Sequence, residues 1–246
     1  IGIFISFRIL DIPDLSVDGT FTLGVVVSGA FTLNGYPVLG MVCAFISGFI
    51  AGGVTGFLIT KMNIQPILAG ILTMTGLYSI NLRILGIGVK ASSGVSPNAS
   101  LRDKQTAFDG FKALFPESMA DYTNLILQLL IVIGIAVLLH LFLKTQIGLS
   151  LRATGDNEFM VRATSISSNK MKMLGLALAN ALVSLSGGIW AQSQKLADTN
   201  SGIGMLVTGL ASIILGEVFF RKRTVIFGIC AAIVGAIIYR RSYQHI

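Results

Sequence analysis

Of the residue types able to act on a bond, this chain of 246 residues carries few, and their placement says more than their number. His140 has no second histidine or carboxylate near it in sequence, and His245 sits at the chain's end, so the pair does not supply a compact catalytic cluster. Cys43 and Cys230 fall inside apolar blocks without the spacing of a metal site or redox pair, which makes them small packing residues. A Gly-x-x-x-x-Gly-Lys-Ser/Thr loop, the cradle for nucleotide phosphates, is missing from the sequence. The expectation is therefore no catalytic residue, no metal ligand and no cofactor.

What remains is a set of polar groups embedded in apolar sequence. Asp14 and Asp18 flank the start of an apolar segment that also carries Thr20 and Thr22. An ionisable side chain at membrane depth is costly and points to a translocation pathway, whereas the same residue at the interface simply caps a helix. Gln128 and Asn180 lie mid-span, where they either line that pathway or act as hydrogen-bonding glue between helices. Glu217 precedes Arg221 in the order that favours an i,i+4 ion pair on a helix.

The elements that must position these groups are transmembrane helices. Hydrophobic residues make up 53% of the chain and charged ones only 12%, with a mean hydropathy of +0.81, more apolar surface than a soluble domain could hide. A net charge of +7 could suggest nucleic acid, but the basic residues sit in short clusters between apolar blocks, as expected beside anionic lipid.

Ile1–Leu10 is apolar but too short to span, and reads as the tail of a helix. Leu15–Leu33, interrupted by Asp18, Gly19, Gly24 and Gly29, predicts a broken or re-entrant helix. Pro37–Thr60 carries Gly48, Gly52 and Gly56 on one face, open to close approach by a neighbour. Further spans are expected at Gln65–Leu85, Thr123–Leu143, Met171–Ala191, Ile203–Phe219 and Val225–Tyr239. Six near-complete spans plus a fragment thus form one membrane domain over residues 1–246, expected to be truncated at both ends, with residues 86–122 as an extracytoplasmic loop long enough for a small folded element. Lys144, Arg152, Arg162, Lys170 and Lys172 favour a cytoplasmic position for residues 144–170.

Within that cytoplasmic loop runs Gly148-Leu-Ser-Leu-Arg-Ala-Thr-Gly-Asp-Asn-Glu-Phe-Met. Asp156 or Asn157 can cap a new helix, so the pattern predicts two short helices joined at Gly155, with Phe159, Met160 and Ala163 on an apolar face. Such an element can lie against the membrane and press a compact knob into a soluble partner.

This run resembles the coupling loop of the permeases that serve branched-chain amino acids, ribose and related solutes in bacterial ABC importers. Pro13-Asp-Leu-Ser-Val-Asp-Gly-Thr-Phe is similar to that family's second-helix opening, and Ile213-Ile-Leu-Gly-Glu-Val-Phe to its segment before a cytoplasmic turn. Residues 13–34 are most similar to an amino-acid branch, with aromatic amino acids among the cargo implied. The resemblance implies an all-α polytopic bundle in the bacterial inner membrane and a homodimeric pore. It also implies cytoplasmic ATP-binding subunits docked on the coupling loops, and an extracytoplasmic solute-binding lipoprotein. It assigns ATPase coupling to Arg152, Thr154, Gly155, Asp156, Asn157, Glu158, Phe159 and Met160. The competing reading is a secondary transporter or channel driven by an ion gradient, which paired broken helices would favour.

Overall fold

A computed structural model describes residues 1–88, 98–102, 104–112, 120–163, 166–219 and 225–243. Helix α1 (Gly2–Phe4) runs into a π-helical turn, Ile5–Ile9, and is followed by α2 (Val17–Leu33), α3 (Pro37–Thr60) and α4 (Pro66–Gly88). Strand β1 (Asn98–Ser100) and α5 (Ala107–Lys112) precede α6 (Ala120–Lys144), and two short helices come next, α7 (Gln146–Asp156) and α8 (Glu158–Ala163). Then come α9 (Ser168–Gln194), β2 (Leu196–Asp198), α10 (Met205–Phe219) and α11 (Val225–Tyr243). The chain is an all-α polytopic membrane protein.

Among the described residues, four helices are long and apolar enough to cross a bilayer by themselves: Pro37–Thr60, Pro66–Gly86, Ile126–Lys144 and Ser168–Gln194. Three apolar helices are shorter, Val17–Leu33, Met205–Val218 and Phe227–Tyr239. At 1.5 Å per residue, α2 reaches only about 25 Å and α10 about 22 Å, short of a hydrocarbon core about 30 Å thick.

The interruption expected between residues 15 and 33 lies earlier. Helix α2 is continuous from Val17 to Leu33, and the break occupies residues 10–16, where Asp11 adopts φ 55° and Pro13 follows. The glycines of α2 serve packing instead. A Cβ on Gly24 would strike the carbonyl of Ser184 on α9, and one on Gly29 would lie 2.6 Å from Ala197 Cβ. All but three residues of α2 are buried, and α9, α3 and α4 pack about it.

Helix α3 begins at Pro37, where the missing N–H costs least, and ends before Lys61. Its glycine face meets α9 as the spacing predicted. A Cβ on Gly48 would stand 2.6 Å from the Asn180 carbonyl oxygen, on Gly52 2.7 Å from Asn180 Cβ, and on Gly56 2.7 Å from Met173 Cα. Gly53, turned away, has nothing within 4 Å. The opposite side of α3 exposes Val42, Ile46, Ile50 and Val54, and α6 exposes Leu130, Ile133 and Leu138. These are surfaces for a bilayer to cover.

At the end where α9 finishes, β1 pairs antiparallel with β2, Asn98 opposite Asp198 and Ser100 opposite Leu196. The segment expected to hold a small folded element thus supplies β1 and α5. Thr106 and Asp109 cap α5 reciprocally: Asp109 Oδ2 accepts from Thr106 N at 3.1 Å, and Thr106 Oγ1 accepts from Asp109 N at 3.3 Å.

Candidate functional site

A carboxyl group stands at the start of each of two helices, α2 and α10. Asp14, fully buried, accepts from the backbone N–H of Ser16 through Oδ1 at 2.8 Å and from Asn180 Nδ2 through Oδ2 at 2.7 Å. It therefore caps the N-terminus of α2 while holding the middle of α9. Asn180 Oδ1 accepts from Thr20 Oγ1 at 2.7 Å and from Ser16 Oγ at 3.3 Å, and its Nδ2 also donates to the Leu176 carbonyl at 3.2 Å. All four hydrogen-bonding positions of the Asn180 amide are filled, so in this conformation none is left for a solute.

Asp18 faces the other way and caps α10. Its Oδ1 accepts from Leu206 N at 2.7 Å and its Oδ2 from Gly204 N at 3.1 Å. Gly204 makes this approach with φ 82°, a conformation that a side chain would strain. Gly202 abuts the Asp18 carbonyl and Thr22 Oγ1, while Thr22 donates to the same carbonyl at 3.0 Å. The chain leaving α9 thus turns back through β2 and residues 199–204 so that α10 starts beside the first turn of α2.

Gln128 belongs to a separate contact, donating from Nε2 to Ser193 Oγ at 2.6 Å and tying α6 to α9. The residue before that serine, Gln192, was not anticipated. That fully buried amide donates to Ser28 Oγ at 2.9 Å and to the Pro37 carbonyl at 2.8 Å, and its Oε1 accepts from Ala107 N at 3.1 Å. It joins α2, α3, α5 and α9 at one point. Its signal in sequence, a glutamine within Ala-Gln-Ser-Gln-Lys, looks like an ordinary polar helix end.

At the opposite end of the bundle, α7 and α8 form the predicted pair of short helices, but their junction is at Asn157. Helix α7 continues through Gly155 to Asp156, and the α8 cap is Asn157, whose Oδ1 accepts from Met160 N at 3.1 Å. Gly155 is needed for contact, because a Cβ there would collide with the carbonyl of Ile9 and lie 3.1 Å from Leu10 Cα. Thr154 is buried, with Oγ1 donating to the Ser150 carbonyl at 2.7 Å. Leu151, wholly buried, packs with Leu10, Leu143 and Leu176.

Glu158 fastens α8 to α9. It accepts from Lys172 Nζ at 2.6 Å, from Arg162 Nη2 at 2.7 Å and from Ser168 Oγ at 3.0 Å. The Lys172 hydrogen bond is the main reason its carboxyl sits below the usual glutamate range, with burial opposing it and Ser168 and Arg162 adding to it. The residues assigned to this element therefore divide: Thr154, Gly155 and Glu158 hold it in place, and Arg152 is half-buried. Asp156 and Asn157 are exposed, while Phe159 and Met160 are 85% and 70% exposed.

Glu217 is not oriented by its own helix alone. Its Oε1 takes Arg8 Nε at 2.8 Å, linking the far end of α10 to the π-helical turn; Arg221, the partner expected from spacing, lies outside the described residues.

Residues 1–245 match the family described as "Branched-chain amino acid transport system / permease component". The chain is 39% identical over 241 residues to the tyrosine transport system permease protein of Clostridioides difficile, covering 98% of this chain and 75% of that one. It is 25% identical over 204 residues to the ribose import permease protein of Escherichia coli, covering 82% and 60% of the two chains. With the autoinducer 2 import system permease protein of Yersinia enterocolitica the identity is 27% over 233 residues, covering 94% and 58%. No solved structure matches. The protein is accordingly a member of the branched-chain amino acid transport system permease family, a multi-pass, non-enzymatic permease component of an ABC-type transporter.

Proposed function

We propose that this permease imports an amino acid, with aromatic amino acids the favoured cargo, across the bacterial inner membrane. Energy comes from ATP-binding subunits docked at α7–α8, and an extracytoplasmic lipoprotein delivers solute at the β1–α5 end. Two copies of the chain form the pore. The substrate class rests on the similarity to a tyrosine permease at 39% identity.

The observation that carries the coupling role is the α7–α8 element. It offers Phe159 and Met160 to solvent, at 85% and 70% exposure, on a base held rigid by Glu158 and by the seat of Gly155 on Ile9. Two large apolar side chains on a six-residue helix are costly to leave in water and suit a partner's groove.

The residues after that seat give the motion somewhere to go. Ile9 adjoins Arg8, which holds Glu217 at one end of α10. The same stretch continues to Asp14 on α9 and Asp18 at the other end of α10. A push on Gly155 therefore bears on a short segment clamped to two further helices, and differing contacts in two states would alternate access to the pore.

A gradient-driven carrier is the second reading, favoured by the buried carboxyl of Asp14 at the start of α2. Against it, Asp14 is engaged by one backbone and one side-chain donor and Asp18 by two backbone donors in this conformation. Uptake of radiolabelled amino acids into liposomes holding the permease with its neighbouring ATPase and binding protein separates the two. Uptake that requires ATP inside supports the importer; uptake that follows an imposed proton or sodium gradient without ATP supports the carrier.

A further inference from the structure

Helix α4 buries one side and leaves the other open. Leu77, Asn81 and Leu85 turn toward α2: Asn81 donates to the Gly19 carbonyl at 3.4 Å, Leu77 clusters with Leu23 and Val27, and Leu85 with Val17 and Phe21. About half a turn away, Thr75, Ser79 and Arg83 are exposed. Their four-residue spacing sets them in one stripe about 12 Å long. Gly76 is exposed beside them, and a Cβ there would meet nothing within 4 Å.

A bilayer accounts for the open faces of α3 and α6 but not for this one. Every exposed residue of α3 from Val38 to Phe57 is apolar, and so is every exposed residue of α6 from Ile126 to Leu141. On α4 the same exposure falls on two hydroxyls and a guanidinium. Thr75 Oγ1 donates to the carbonyls of Ile71 and Leu72 on its own helix, whereas Ser79 and Arg83 have no side-chain partner among the described residues. Arg83 lies within the apolar span Pro66–Gly86, and a cation within such a span is costly against hydrocarbon and belongs beside water or a counter-charge.

The stripe also has a direction. Helix α4 starts at the α7–α8 end, because the Thr60 carbonyl at the close of α3 accepts from Asn169 Nδ2 at the opening of α9, at 3.4 Å. Its far end reaches the strands, where Leu85 shares a cluster with Ala99 of β1 and Ala197 of β2. Thr75 is therefore near mid-span, and Arg83 is near the end at which solute is delivered in the reading above.

We propose that the Thr75, Ser79 and Arg83 face of α4 is this chain's share of the pore wall, which a second copy completes, and that the Arg83 guanidinium takes the carboxylate of the entering amino acid. A guanidinium matches a carboxylate in charge and in its paired donors. The Ser79 and Thr75 hydroxyls offer the next polar contacts inward. This inference rests on the amino-acid cargo and the two-copy pore proposed above.

The test uses the whole importer in liposomes, the permease with the ATP-binding subunit and binding protein proposed above. In a background of Cys43→Ala and Cys230→Ala, single cysteines are introduced by Thr75→Cys and Ser79→Cys on this face, by Ile46→Cys on α3 and by Ile133→Cys on α6. A charged methanethiosulfonate reagent, present on both sides during ATP turnover, attacks thiolate, which forms in water and not in hydrocarbon. The α4 thiols are expected to react about tenfold or more faster than the other two. Equal rates at all four positions overturn the pore wall.

Uptake of radiolabelled L-tyrosine, then of a labelled amino-acid mixture, tests Arg83. Arg83→Gln is expected to melt with the wild type and to take up solute about tenfold more slowly, the worth of one charge-assisted hydrogen bond, with Arg83→Lys in between. Wild-type uptake by Arg83→Gln overturns the carboxylate contact. So does an equal loss of uptake in both variants with a lowered melting temperature, which would make Arg83 a structural residue. If the wild type takes up neither probe, the amino-acid reading fails and the role of Arg83 with it, while the thiol rates still decide whether α4 lines the pore.

Discussion

Asn180 reaches Asp14 across 2.7 Å, joining the middle of α9 to the first residues before α2 in a fully buried contact. The amide saturates itself on Asp14, Ser16, Thr20 and Leu176, so the pair acts as a fastener between two helices. Asn180→Leu leaves Asp14 Oδ2 and the Ser16 hydroxyl short of a partner, while the Thr20 hydroxyl keeps the carbonyls of Ser16 and Val17 as acceptors. Orphaning buried groups costs about 1–3 kcal/mol each, so thermal unfolding in mild detergent should show a loss of at least about 2 kcal/mol. An unchanged midpoint would remove the pair from the account of the fold.

Neighbouring glycines on α3 make a matched comparison. Gly52→Ala places a methyl group against the Leu176 carbonyl and 2.9 Å from Ala177 Cα, whereas Gly53→Ala meets nothing within 4 Å. Backbone cannot give way as a side-chain tip can. Gly52→Ala is expected to destabilise by about 1–3 kcal/mol, and Gly53→Ala to stay within about 0.5 kcal/mol of wild type. Monodispersity and melting temperature of the two purified variants check this.

The cap on α10 predicts an asymmetry at Asp18. Asp18→Ala removes both acceptors from Gly204 N and Leu206 N and should cost about 1 kcal/mol. Asp18→Asn keeps one acceptor and should recover part of that loss. Equal damage from both variants would mean that charge, not capping, is what the position supplies.

The carboxyl of Glu158 is held below its ordinary value, first by Lys172. A group whose folded-state pKa is lowered stabilises above its unfolded value, about 4.3 for glutamate, and loses that contribution as pH falls through the lower folded value. The tie between α8 and α9 should therefore be unaffected from pH 8 to about pH 5. Glu158→Gln should loosen α8 at every pH in that window. Hydrogen exchange across residues 158–163 reports both.

Much of the bundle is legible in the sequence because the bilayer demands long apolar runs. Helix α3 matches its predicted limits, bounded by Pro37 and Lys61, and its glycine stripe names its own partner face. The start of α2 is not legible in that way. An apolar run records where a helix could extend, while the long-range contact that holds its first turn, Asp14 to Asn180, arises only once α9 is in position. Glu217 shows the same limit: Arg8 reaches its carboxylate from the other end of the chain, a contact that no local spacing announces. Gly155 looked like a joint because glycine breaks helices, yet it is there for the close approach of Ile9, and the joint falls at Asn157.

The most direct measurement is co-purification of the permease with the ATP-binding subunit proposed to dock on it, comparing wild type with the double variant Asp156→Lys, Phe159→Ala. Both positions are exposed, so the variant should fold within about 0.5 kcal/mol of wild type. The coupling account predicts that wild type retains the ATPase through purification and the variant loses it with an unchanged melting temperature. A folded variant that keeps the ATPase as well as wild type does would contradict it.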